Sequence, residues 1–489
     1  MLKPLLRKTH LFAGLFFLSA LISCSHDDDP VTTKPDPDPV KPDPVVTVTE
    51  YPVQNPFVIP KEVQYLYDNE NLSNITLEVT TEEWNKLLSY YDQNPNNEEY
   101  VAATFSYAKG GSAENLTNTV GLRIRGNTSR RRPEGTTGQT HSATAPDWHH
   151  ASFTLNFKKF DKKQTFHEAE KVNLKWFKDD ANYVREVYCY DLFERFGVWT
   201  APQSGYTTLT IKIKEDNKPA YFGVYQIIEP VDELYLKNRK TKFTTTTGNL
   251  WKGNYGASLK YADRSKMDIE NITLTGKDYT PVYDLKTNKK SLESAKDQLS
   301  DFITQLNGKS GDDLKAYLSQ KMDVDLFVRT YAVNVICGMW DDYWKNTNNF
   351  YFYFDADGKF YFIPYDYDNS LGTSLLVNDS GKQNVLNWGD PSNPLVLKVL
   401  SIPEYKALYI KYLNELKDPK YNLFYVKNSQ NRITKWQDLI RNRVANDTDE
   451  DMYIGDAPAY WGNCSFYNLH GSNALTNYFM IRAANIPAQ

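Results

Sequence analysis

The chain has 489 residues, a formal charge of −5, 40 % hydrophobic residues and 14 % aromatic ones, with 35 Tyr. That length buries one large core or two moderate ones, and a mean hydropathy of −0.60 describes a globular chain rather than a membrane-spanning or disordered one. The acidic balance argues against nucleic acid as a partner, because a phosphate backbone needs a cationic surface.

Lys3, Arg7 and Lys8 precede the apolar run Leu11–Ile22, which is too short to cross a bilayer and has the charge order of a secretory signal. Leu21-Ile22-Ser23-Cys24 resembles a bacterial lipobox. Residues 1–23 are therefore expected to be a signal peptide, with Cys24 the lipidated residue that anchors the protein to a membrane outside the cytoplasm. Ser25-His26-Asp27-Asp28-Asp29 resembles the acidic export tag of Bacteroidetes lipoproteins, which implies the outer membrane and its exposed surface. Cys189, Cys337 and Cys464 then remain, an odd number with no C-x-x-C spacing, and buried thiols are expected. Six of the fifteen residues 30–44 are Pro, so residues 24–65 read as an extended, charged, disordered linker.

The domain proper is expected over residues 70–489. Ile75–Val79 alternates as a strand, and Thr81-Glu82-Glu83-Trp84 opens a helix with a capping signature. Val101–Tyr107, Val120–Arg125 and Ser152–Phe157 read as further strands. Asp180 stands as N-cap of a helix that carries Val184, Val187, Tyr188, Leu192 and Phe196 on one side and stops at Gly197. Tyr206–Ile213 and Tyr221–Ile228 form a hairpin about residues 215–218, helical patterns fill 291–339, and more helices follow over much of 395–447. Strands grouped before helices predict an α+β architecture of two packed lobes, an antiparallel β-rich part followed by a helical part.

Two segments carry chemistry. The first is a strand that ends in Gly126-Asn127-Thr128-Ser129 beside Arg123, Arg125, Arg130, Arg131 and Arg132, where backbone N–H groups and guanidinium forks suit a phosphate or sulfate. A basic solvated loop is the competing reading. The second is a split acidic site: Trp340-Asp341-Asp342-Tyr343-Trp344-Lys345-Asn346 precedes a hairpin that turns at Asp355–Gly358, and Pro364-Tyr365-Asp366-Tyr367-Asp368-Asn369 follows it. Folding the hairpin sets Asp366 across from about position 347 and Asp368 across from about 345, within one residue. Clustered carboxylates and Asn amides of this kind prefer Mg²⁺ or Ca²⁺. Asp341 and Asn346 also have the D-x₄-N spacing of a protein-kinase catalytic loop, while a structural Ca²⁺ site or a solvated hairpin base fits the same residues. His149-His150 are adjacent, a poor geometry for one ion, and are expected at the surface.

In order, Gly121–Ser129, the run Leu174…Asp180…Arg185-Glu186 into a helix ending at Gly197, Tyr221–Glu229, Gly248-Asn249-Leu250-Trp251-Lys252 and Asn348-Asn349…Asp368 resemble the CotH family, from about residue 72 to nearly the C-terminus. The resemblance implies an atypical, two-lobed kinase-like fold that binds ATP and Mg²⁺ and phosphorylates Ser/Thr hydroxyls of a protein. Carried over by position, it implies Asp341 as catalytic carboxylate, Asn346 and Asp366 as Mg²⁺ ligands with Asp368 as rival, and Glu229 as partner of a phosphate-binding lysine. Relatives in this family have a basic pair where this chain has His149-His150, so Lys158 and Lys175 are the lysine candidates, and a polar insertion at about 133–148 separates the Arg-rich turn from the next strand. These departures also fit a catalytically inactive member that serves as a binding module, for instance for glycans through its Tyr and Trp side chains.

Overall fold

The computed structural model describes residues 47–54, 56–127, 129–270, 281–373, 380–444, 466, 469 and 477–488. The expected signal peptide, Cys24 and the acidic tag lie outside these residues, as does Cys464. Among the described residues no helix is long and apolar enough to cross a membrane.

The N-terminal part is built from β1 (Ser73–Val79), β2 (Val101–Lys109), β3 (Ser112–Asn115), β4 (Val120–Arg125), β5 (Ser152–Asn156), β6 (Lys171–Trp176), β7 (Ser204–Ile213) and β8 (Ala220–Ile228). Their order is β1-β7-β8-β6-β5-β4-β2-β3, and β1 also pairs with β2, so seven strands close into a barrel with β3 as an outlying hairpin partner. An antiparallel β-rich part was the expectation; the barrel also contains a parallel pair, Ser73↔Thr207 to Val79↔Ile213, which no local pattern encodes. Closure leaves no long unpaired edge. β1 alternates buried and half-buried positions, and Ile75, Leu77 and Val79 face the barrel core with Phe105, Leu122, Phe153 and Leu174.

Helix α1 (Lys61–Gln64) precedes β1, and α2 (Thr81–Gln93) packs Trp84, Leu87 and Leu88 onto the barrel. Its cap is Thr80, whose hydroxyl accepts the Glu83 N–H at 3.2 Å. The polar insertion is tied down beside it. His141 lies between Glu134 and Asp216, 2.9 Å from each, and Glu134 also accepts the Trp84 indole N–H at 2.7 Å. Both ring nitrogens face carboxylates, an arrangement that favours the doubly protonated ring. Burial opposes this charge, but the bonds to Asp216 and Glu134 win and raise the imidazole above its ordinary value of 6.5. A raised value means stability that is complete below about pH 6 and is lost as pH climbs through the folded value. Wild-type protein is expected to lose thermal stability as pH rises above about 6.5, and His141→Ala to flatten that slope; equal slopes in pH-dependent melting would refute this account.

Helix α3 (Arg185–Arg195) joins β6 to β7; after β8 the second part begins with α4 (Glu233–Asn238) and holds a smaller sheet, β9 (Asn249–Gly253), β10 (Met267–Asp268), β11 (Tyr283–Leu285), β12 (Phe350–Phe354) and β13 (Phe360–Pro364), in the order β10-β11-β9-β12-β13. This sheet explains Gly248, because a Cβ there would overlap the carbonyl oxygen of Phe354. Helices α5 (Leu292–Gly308), α6 (Gly311–Lys321), α7 (Val324–Cys337), α8 (Pro394–Leu400), α9 (Pro403–Lys417), α10 (Val426–Ile440) and α11 (Tyr478–Ala484) surround it. Much of the aromatic content is core: Phe302 stacks on Phe360 at 4.6 Å, Trp344 meets Phe362 at 5.2 Å, and Trp84, Trp251, Trp344 and Trp388 are buried. Cys189 and Cys337 are buried free thiols.

Residues 49–54 and 56–63, expected as part of the linker, are packed against the domain. Thr49 donates its N–H to Lys420 and accepts that of Asn422, both at 2.9 Å, the Tyr51 hydroxyl reaches Glu415 at 2.7 Å, and Ile59 and Val63 are core residues. Sparse apolar positions hid this strap, since its partners lie far along the chain.

Candidate active site

Helix α3 is aimed by Asp180. Its carboxylate accepts the N–H groups of Val184 at 3.0 Å and Arg185 at 2.9 Å and pairs with the Arg185 guanidinium at 2.6 Å, all buried. Asp180 thus supplies the capping bonds from four residues ahead of the N-cap position, which Val184 occupies. The first turn then presents Glu186 to Lys175 at the end of β6, at 2.7 Å. Lys175 also pairs with Asp366 and lies 3.0 Å from Asp368, so one ammonium is ringed by three carboxylates.

The loop after β13 that carries these two Asp residues is held by the same helix. Tyr367 N–H donates to Glu186 at 3.1 Å, and Asp366 N–H donates to the Tyr190 hydroxyl at 3.1 Å. Asp366 has φ +65, a left-handed conformation that costs a non-glycine residue and is held by these contacts. The hairpin turns as expected, with Asp355 accepting the N–H of Asp357 and Lys359 and Gly358 at φ +74. Its ladder runs from Phe350↔Pro364 to Phe354↔Phe360, which carries Asp366 to the level of Asn348, within one residue of the expected register.

Across from this group, α7 stops at Gly338 with φ +66 and delivers Asp341. Four asparagines surround the carboxylate. Asn346 and Asn348 donate to its Oδ1 at 2.6 and 3.0 Å, and Asn349 and Asn369 donate to its Oδ2 at 3.2 and 3.5 Å. Burial raises the Asp341 carboxyl above the usual range, the Asn346 and Asn348 amides oppose this, and the charge of Asp366 adds to it. Asp342 is turned inward, where burial holds its carboxyl far above the usual range, and it serves the turn by accepting the Trp344 N–H at 3.0 Å.

Charge is unevenly divided around Lys175. Burial alone would lower its ammonium, but Asp366, Asp368 and Glu186 outweigh that and hold it well above the usual lysine value. Burial would likewise raise Asp366, but Lys175, Arg125 and Lys252 hold it below the carboxylate range. Asp368 goes the other way, pushed up to about 7 by burial, with Lys175 opposing and Asp366 and Glu186 adding to it.

The remaining sequence candidates separate. Arg125 reaches the site from the end of β4 and donates to the Tyr365 hydroxyl at 3.0 Å. Arg123 instead pairs with Glu98 at 3.1 Å, Arg132 with Asp92 at 2.8 Å, and Arg130 bonds the carbonyls of Gly126 and Pro95, so these arginines pin the 92–98 loop to the barrel. Asn127 is exposed and its carbonyl accepts the Arg130 N–H. Lys158 pairs with Glu170 at 2.7 Å, half-exposed on the barrel. Glu229 corrects an expectation: it is buried in a two-toothed pair with Arg239, at 2.9 and 2.8 Å, and the carboxylate that meets the site lysine is Glu186. His150 corrects another, because it is buried and stacked on Trp176 at 5.0 Å. The pairing of Glu186 with the site lysine, and the contacts of Asn348, Asn349 and Asn369 with Asp341, escaped sequence reasoning, whereas Asn346 was among its candidates; the signal for Glu186 was its place in the first turn after Asp180.

Among the described residues no three His, Cys, Asp or Glu side chains stand in ligand geometry. The donor chemistry nevertheless fits a hard divalent cation. Glu186, Asp366 and Asp368 outnumber the one Lys175, and Asn348 Oδ1 is buried without a hydrogen-bond partner at the edge of the same group. A carboxylate poised above its usual range stands beside an acidic, lysine-bridged group, with Asn369 donating to both Asp341 and Asp368.

The family model for CotH kinase proteins matches residues 122–471. The chain belongs to the CotH family. It is 24 % identical over 269 residues to inner spore coat protein H of Bacillus subtilis, a match that covers 55 % of this chain and 68 % of that protein. It is also 30 % identical over 111 residues to invasin CotH7 of Rhizopus delemar, which covers 21 % of this chain and 18 % of the invasin.

Proposed function

We propose that the protein is a two-lobed, kinase-like enzyme that transfers phosphate from ATP to Ser/Thr hydroxyls of an extracytoplasmic protein. The observation that carries the reading is the Lys175–Glu186 ion pair beside Asp366 and Asp368, with Asp341 and Asn346 opposite. In protein kinases a strand lysine paired with a helix glutamate, a metal-binding Asp and a catalytic Asp with its Asn perform these roles. The barrel with α3 corresponds to the nucleotide-holding lobe, and the smaller sheet with its helices to the lobe that supplies Asp341.

In this reading Asp366, Asp368 and Asn346 hold Mg²⁺, which when bound neutralises charge on the phosphates. Lys175 is kept in line by Glu186 and keeps the two Asp residues apart. Asp341 orients the acceptor hydroxyl and takes its proton, a task suited to a carboxyl raised by burial. Arg125 meets the phosphates from the barrel side. We further infer that residues 1–23 direct export and that Cys24 carries the lipid that holds the domain at the outer membrane.

The test is nucleotide binding and transfer by the purified protein. A Mg²⁺-dependent rise in melting temperature with ATP, together with labelled-phosphate transfer to a Ser-rich peptide, is the expected result. If saturating Mg²⁺·ATP neither binds nor moves the melting temperature, the domain is a binding module and the kinase reading falls.

A further inference from the structure

We propose that Lys252 is a phosphate-binding residue that grips the nucleoside triphosphate opposite Arg125. This rests on the phosphotransfer reading and adds to it a residue from the second lobe.

Lys252 lies on β9, and its register neighbours are Asp284 on β11 and Tyr351 on β12, so the three share one face of the sheet. That face turns toward the site. The Tyr351 ring meets Tyr365 at 5.0 Å, and the Tyr365 hydroxyl accepts from Arg125, which reaches it from the barrel. Arg125 and Lys252 thus approach Asp366 from two different sheets, and both help hold its carboxyl low, after burial and Lys175.

The acids near Lys252 are already spent. Lys286 takes Glu270 at 2.9 Å and also pairs with Asp284. Lys252 has no ion pair or side-chain hydrogen bond among the described residues, although it is half-buried. Burial and the neighbouring Lys286 hold its ammonium below the usual lysine value, so an arriving anion relieves a real cost. Lys175 cannot take that role alone, since three carboxylates already claim it. Lys286 and Glu270, whose charges act on Lys252, also line a cavity of about 500 Å³ together with Tyr90, Asn97, Glu98 and Lys289, a volume in the range of small-molecule sites.

Calorimetric binding of Mg²⁺·ATP, Mg²⁺·ADP and adenosine to the full-length protein tests this. Lys252→Met is expected to weaken ATP about tenfold or more, to weaken ADP less and to leave adenosine unchanged, because a charge-assisted contact is lost only at the phosphates. Lys252→Arg, which keeps the charge, is expected to recover most of the affinity and confirms that the lysine does not merely support the sheet. Unchanged ATP affinity in a folded Lys252→Met protein overturns the proposal while leaving the phosphotransfer reading intact. Wild-type protein that binds no nucleotide overturns both.

Discussion

Asp341→Asn is expected to retain Mg²⁺·ATP binding while phosphate transfer falls by a factor on the order of 10²–10⁴, the usual contribution of a positioned base. The asparagine ring around Asp341 makes this substitution more than a loss of charge. Both carboxylate oxygens accept from amide donors, Oδ1 from Asn346 and Asn348 and Oδ2 from Asn349 and Asn369. An Asn at 341 must turn its own NH₂ toward one of those pairs, so donor meets donor on one side. A modest drop in melting temperature should therefore accompany the loss of transfer, and single-turnover rates with bound ATP separate the two effects. Undiminished transfer in the variant would remove Asp341 from its assigned role.

Lys175→Met is expected to lose both stability and function. The substitution removes the one ammonium that pairs directly with Glu186, Asp366 and Asp368, and removing one partner of a buried ion pair costs about 3–5 kcal/mol. Part of that loss should return when Mg²⁺ is added, because a divalent ion can replace the missing charge, whereas monovalent salt at equal ionic strength should do little. Urea unfolding with and without Mg²⁺ reads this directly. A midpoint equal to wild type in chelator would mean that the three carboxylates do not depend on Lys175.

What was legible in the sequence follows from how local its causes are. The hairpin at 350–364 and the helix that begins after Asp180 were readable because alternation, an Asp/Gly turn and a capping carboxylate act within a few residues. Asp341 and Asp366 were readable from residue type and from the register that the hairpin imposes. The role of Glu186 was not, because choosing between it and Glu229 requires knowing that β6 ends beside α3 while Arg239 returns to cover Glu229. The arginines after β4 looked alike in sequence; only the fold sends Arg125 to Tyr365 and Arg123 to Glu98. Barrel closure was equally hidden, since the β1–β7 pairing joins residues more than a hundred positions apart.

The strap at Thr49 sets an order of events. Its partners Lys420 and Asn422 come some 370 residues later, so this segment cannot dock until residues 420–422 have emerged. The barrel can close earlier, since its last strand ends at Ile228. The 49–51 segment and the barrel that follows it are therefore made long before the helices that complete the docking, and the strap joins the two ends of the domain only in its last folding step.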